Sequence, residues 1–154
     1  MATATVNTTQ DAVQKDKADV LELIAGMAKG RYEKKARAIA ASYAGDAAIF
    51  SLAPPLVHRG IDVEETQAWL ETWATPITIE PRDFKVTIAG DTAFAYGYMR
   101  MQGRKKGADH EVNFWMRETL CLEREGSGWR IVHEHTSVPF YMDATTRPAF
   151  DLEP

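Results

Sequence analysis

The feature that most constrains this chain is a change of apolar period at Pro76, from 3.6 residues before it to 2 after it. Four strand-like segments follow, over residues 77–88, 92–102, 111–124 and 129–138. They are separated by Ala89-Gly90-Asp91, residues 104–109 and residues 125–128, connectors of hairpin length that carry glycine. Helical patterns first and a run of antiparallel strands afterwards is an α+β order, unlike the βαβ alternation of a doubly wound sheet.

Upstream of Pro76, Val13, Val20, Leu23, Ile24 and Met27 keep helical spacing, with Lys15, Asp16, Lys17 and Asp19 between them. Gly26 and Gly30 weaken the end of this helix. A second helical pattern, Tyr32, Ala36, Ile39, Ala40 and Tyr43, runs on to a stop at Gly45. Residues 46–52 read as a strand ended by Pro54-Pro55, because proline cannot donate to a ladder. Asp62 caps a third helix, with Glu65 placed as in a capping box and Trp69 and Trp73 on one face. The division expected is a flexible leader at 1–11, one domain over 12–140, and a tail over 141–154.

Charge and composition exclude some partners. Lysine plus arginine number 18 and aspartate plus glutamate 22, for a net charge of −4, so no basic surface awaits a nucleic acid. Apolar stretches such as residues 20–27 are short and interrupted by Glu22, which argues against a membrane span. The first 11 residues lack the pattern of a signal peptide. The lone Cys121 suits a reducing cytoplasm, the compartment expected here.

Three motifs, YAGDAAIFSLAPPL at residues 43–56, AGDTAFAYG at 89–97 and GWRIVHEHTSVPF at 128–140, resemble the SnoaL-like, ketosteroid-isomerase-like group of the nuclear transport factor two-like superfamily. The resemblance covers most of the chain beyond Asp11. It implies a cystatin-like α+β fold, in which a cone-shaped, strongly curved antiparallel (mixed) sheet wraps three N-terminal helices and opens to a cavity. It also implies a homodimer through the outer sheet face. Isomerases, cyclases, dehydratases, epoxide hydrolases and binding modules all use this cone, so activity has to be argued from the site.

Strict alternation in the last strand puts Trp129, Ile131, His133, His135 and Ser137 on one face, taken as the inner one. Either histidine would then be a general acid/base in an apolar cone, or a hydrogen-bonded structural group. The pair could also ligate a metal, but His58, His110, Asp46 and Glu118 offer no recognisable third-ligand spacing, and neither metal nor cofactor is expected. In residues 111–124, Asn113, Trp115, Arg117, Thr119 and Cys121 share one face, and Phe114, Met116, Glu118, Leu120 and Leu122 the other. Apolar character favours the second set as core. The resemblance instead implies that Arg117 and Thr119 meet the cavity, with Arg117 binding a carboxylate or enolate.

The isomerases of this superfamily use an aspartate base and an oxyanion hole of a tyrosine with a protonated aspartic acid. Asp46 is the base candidate, or else a turn residue; Tyr98 is a candidate for stabilising negative charge, and no buried acid follows Asp91 in its strand. Phe50, Trp69, Trp73, Tyr96 and Trp115 complete an apolar wall, or simply fill the core. The expectation is a cofactor-independent acid/base enzyme of isomerase, cyclase or dehydratase type, acting on a hydrophobic, carbonyl-bearing molecule. The alternative is a non-catalytic ligand-binding or dimerisation module.

Overall fold

The computed structural model describes residues 3–154, with side chains from residue 9 onward. Helix α1 (Thr3–Tyr32) buries Val20, Ile24 and Met27, spaced four and three apart, as a stripe against the sheet. The two glycines do not end it. A Cβ on Gly30 would lie 2.9 Å from Ile39 Cγ1, so glycine there lets the chain fold back tightly onto α1.

The second helical pattern shrinks to one short helix, α2 (Ala36–Ala40). Tyr43, expected within it, instead opens strand β1 (Tyr43–Phe50). A two-residue strand β2 (His58–Arg59) and helix α3 (Val63–Glu71) follow. The expected cap is present, with the Glu65 N–H donating to Asp62 Oδ1 at 2.9 Å.

The long strands are β3 (Thr78–Ala89), β4 (Thr92–Gly103), β5 (Val112–Glu125) and β6 (Gly128–Ser137). They form one six-stranded sheet in the order β2-β1-β6-β5-β4-β3. Neighbours are antiparallel except β1 and β6, which run parallel. Register breaks interrupt β1–β6, β3–β4 and β5–β6, and such bulges increase the local twist that bends a sheet around its helices. Arg124 ties α1 to this sheet: its Nη1 and Nη2 donate to the Asp16 carboxylate at 3.1 and 2.8 Å.

The break in β6 decides which side chains face inward. Leu122 pairs with Ile131 and Cys121 with His133, which leaves Val132 as the extra residue. Trp129 and Ile131 are buried before it, and after it the buried position falls on Glu134. Strict alternation through 129–137 is therefore corrected, and His133 and His135 stand on the outer face. In β5 the inner set is Met116, Glu118, Leu120 and Leu122, whereas Arg117 and Thr119 are exposed. The cavity-facing placement of those two is corrected as well.

Beyond β6 the chain doubles back. The Ala149 N–H donates to the Pro139 carbonyl at 2.8 Å, and the Phe150 ring meets Phe114 with centroids 4.5 Å apart.

Candidate functional site

The concave side of the sheet encloses a cavity of about 590 Å³, well inside the range of small-molecule sites. Ile49, Ile79, Met99, Met101, Met116 and Trp69 supply its apolar wall. Residues 51–54 and the N-terminal turn of α3 line another part of it, and His58 and Arg59 of β2 reach it as well.

One polar cluster in its wall combines Arg31 at the end of α1, Tyr43 at the start of β1, Glu118 on β5 and Glu134 on β6. Tyr43, Glu118 and Glu134 are buried, with 6%, 4% and 5% of their surfaces exposed. Carboxyls this enclosed need partners. The Tyr43 hydroxyl donates to Glu134 Oε2. Glu118 Oε2 has no hydrogen-bond partner among the described residues.

Burial pushes the Glu118 carboxyl up to about 8, and the nearby Glu134 charge adds to the shift, against the opposing pull of Arg31. Two carboxylates in contact cannot both ionise cheaply, so the pair holds a proton at neutral pH. Burial, followed by the Glu134 charge, also raises Tyr43 well above an ordinary phenol. For Arg31, burial disfavours the charged form, but Tyr43, Glu134 and Glu118 outweigh it and hold the guanidinium positive. The arrangement is a neutral carboxylic acid beside a balanced ion cluster, inside an apolar cavity.

Most residues singled out from the sequence lie elsewhere. Tyr96, Thr119, His135 and Phe50 form one cross-strand row on the outer face, all exposed. His133 pairs across from Cys121 and Ala48, and its Nδ1 lies 2.7 Å from the Ala48 carbonyl oxygen. Arg117 pairs with Tyr98 and Ser137, and its Nε donates to Ser137 Oγ at 3.2 Å. Trp115 is flanked by the Arg82 and Arg100 guanidinium groups, 5.4 and 5.9 Å from its ring centroid. Asp46 is exposed on β1. Trp73 is packed in the core at 2% exposure rather than lining the void, and Trp69 does line it.

Sequence reasoning passed over Glu118 and Glu134 as acid/base groups. A usable signal was present: Glu118 interrupts an otherwise apolar inward set of Phe114, Met116, Leu120 and Leu122. Among the described residues no group of three or more histidine, cysteine, aspartate and glutamate side chains is placed to hold a metal ion. No helix among them is long and apolar enough to cross a membrane.

A cone of this topology around an enclosed polar site defines a class of α+β proteins with a nuclear transport factor two-like fold. The model of the SnoaL-like domain matches residues 20–141, and the chain belongs to that family. Among solved structures, an NTF2-like protein of unknown function from Pseudomonas putida superimposes with a TM-score of 0.76 at 27% identity, covering 89% of this chain and 95% of that one. A protein provisionally named scytalone dehydratase from Novosphingobium aromaticivorans gives 0.77 at 11% identity, covering 94% and 99%. One provisionally named ketosteroid isomerase from Shewanella frigidimarina gives 0.61 at 22% identity, covering 75% and 92%. The last two share the fold. No match was found among curated proteins.

Proposed function

We propose that the cavity binds an uncharged, largely apolar small molecule and that Glu118 serves as an acid toward an oxygen of that ligand. The protein is then a cofactor-independent acid/base enzyme of isomerase, cyclase or dehydratase type. One observation carries this reading: a carboxyl group 4% exposed, with an unpartnered oxygen and an affinity for protons raised to about 8, borders an apolar cavity. Glu134, held by Tyr43 and balanced by Arg31, keeps that proton in place. A neutral ligand is favoured because the cluster already balances its own charge. The provisional names of two structural relatives, a dehydratase and a ketosteroid isomerase, agree with such chemistry.

The test is a thermal unfolding series with 2-tetralone, an uncharged bicyclic ketone, against its carboxylate analogue 2-naphthoate. Binding to the native state raises the midpoint with ligand excess. The expected result is a rise with the ketone that shrinks in Glu118→Gln. Equal rises with both compounds, unaffected by that substitution, would sink the reading.

The outer face supports a second role, self-association. Phe94, Tyr96 and Tyr98 alternate along β4 there at 39–47% exposure, an aromatic strip beyond what scattered apolar residues require, with Phe50 farther along the same face past Thr119 and His135. A homodimer through this face is the reading it supports, and the same face carries His133, His135 and Arg117. The single cysteine is compatible with a cytoplasmic setting for such an assembly.

A further inference from the structure

We infer that His58 is the proton-accepting partner of the Glu118 acid, which makes the site bifunctional. This inference rests on the acid/base reading above and adds a second group to it. His58 pairs with Ile49 across β2–β1, and Ile49 pairs with Glu134 across β1–β6. Residues opposite one another point to the same sheet face, so His58, Ile49 and Glu134 form one inward row. Adjacent strands lie roughly 4.8 Å apart, which sets the His58 and Glu134 backbones about 10 Å from each other. That gap fits one ring of a ligand lying over Ile49, with the imidazole at one edge and the carboxyl pair at the other.

Three other polar groups of the lining are committed or cannot accept a proton, and the Glu65 carboxylate, also in the lining, is exposed on the first turn of α3. Asp62 Oδ1 accepts the Glu65 N–H, the Tyr43 hydroxyl is bonded to Glu134, and Arg31 carries no lone pair to accept with. His58 is half-buried, and among the described residues no hydrogen bond or ion pair holds its ring. Of the four histidines it alone lines the cavity. A neutral imidazole takes up and returns protons readily near neutral pH.

In the forward step, His58 takes a proton from the carbon next to the ligand carbonyl. The C–H electron pair becomes the new C=C bond, the C=O π pair moves to oxygen, and Glu118 gives that oxygen its proton. An enol, an imidazolium and a glutamate carboxylate result. Return of both protons, with the carbon proton delivered to either end of the enol system, restores the protein and completes an isomerisation without any co-reactant.

The experiment follows exchange of the α-protons of 2-tetralone in D2O by NMR, alongside its effect on the unfolding midpoint. The wild type is expected to accelerate exchange over buffer, and His58→Gln to lose at least about 10²-fold of that acceleration while the midpoint shift persists. His58→Asn replaces it if the glutamine variant does not fold. Exchange that survives in the variant, or binding without exchange in the wild type, overturns the role of His58 and leaves the binding reading standing. Absence of any midpoint shift in the wild type overturns the binding reading, and this inference with it.

Discussion

Glu134 accepts the hydroxyl of Tyr43 across the one parallel seam of the sheet, between residues 91 positions apart in the chain. That bond couples the start of β1 to the carboxyl pair. It also gives a neutral donor to one of the two buried acids.

Tyr43→Phe removes the donor and leaves a buried carboxyl short of a partner. The expected cost is about 1–3 kcal/mol of unfolding free energy. Urea denaturation at neutral pH measures it, and an unchanged midpoint would show that Glu134 finds another donor.

Glu118 predicts how stability varies with pH. The folded protein holds its proton up to about pH 8, whereas an ordinary glutamate releases it near 4.5. Between these values the native state binds more protons than the unfolded chain. Stability from this group is therefore complete below about pH 4.5 and declines as pH rises through 8, by up to about 1.4 kcal/mol per pH unit. Urea midpoints measured from pH 5 to 8 should fall, and Glu118→Gln should flatten that slope. Equal slopes in both proteins would contradict the assignment.

Gly60 fixes the strand that carries His58. Its φ is +67°, its N–H donates to the Ala47 carbonyl at 2.8 Å, and a Cβ there would lie 2.2 Å from the Gly45 carbonyl oxygen. Gly60→Ala should cost more than the roughly 1–2 kcal/mol of a left-handed backbone alone, because β2 must also move. Gly90→Ala is the control, with φ of +62° and open space around the added carbon. Comparable losses in the two variants, read by thermal melts, would count against a steric role at Gly60.

The aromatic outer face predicts a concentration-dependent dimer. Tyr96 lies mid-patch at 47% exposure, paired with Thr119. Tyr96→Glu should shift the protein to monomer in sedimentation equilibrium while the cavity and the fold persist. A wild type that stays monomeric at high concentration would remove the case for this interface.

Much of the fold was legible locally. The four long strands begin and end within one residue of where the period-2 pattern places them, because alternation and hairpin glycines are properties of neighbouring residues. The Asp62 cap was legible for the same reason. Tyr43 was not. Its spacing from Ile39 continues a helical stripe, and only hydrogen bonding to a distant β6 makes it a strand residue.

The site divides along the same line. From sequence alone came the family, the order of helices and strands, and the expectation of a cavity with acid/base chemistry. The tertiary structure decided which groups reach that cavity. A single extra residue at Val132 reverses the phase of β6, turning Glu134 inward and both histidines outward. Alternation is fixed by the covalent backbone, but its phase relative to the core is set by the partner strand. A bulge resets that phase without leaving a local mark in the sequence.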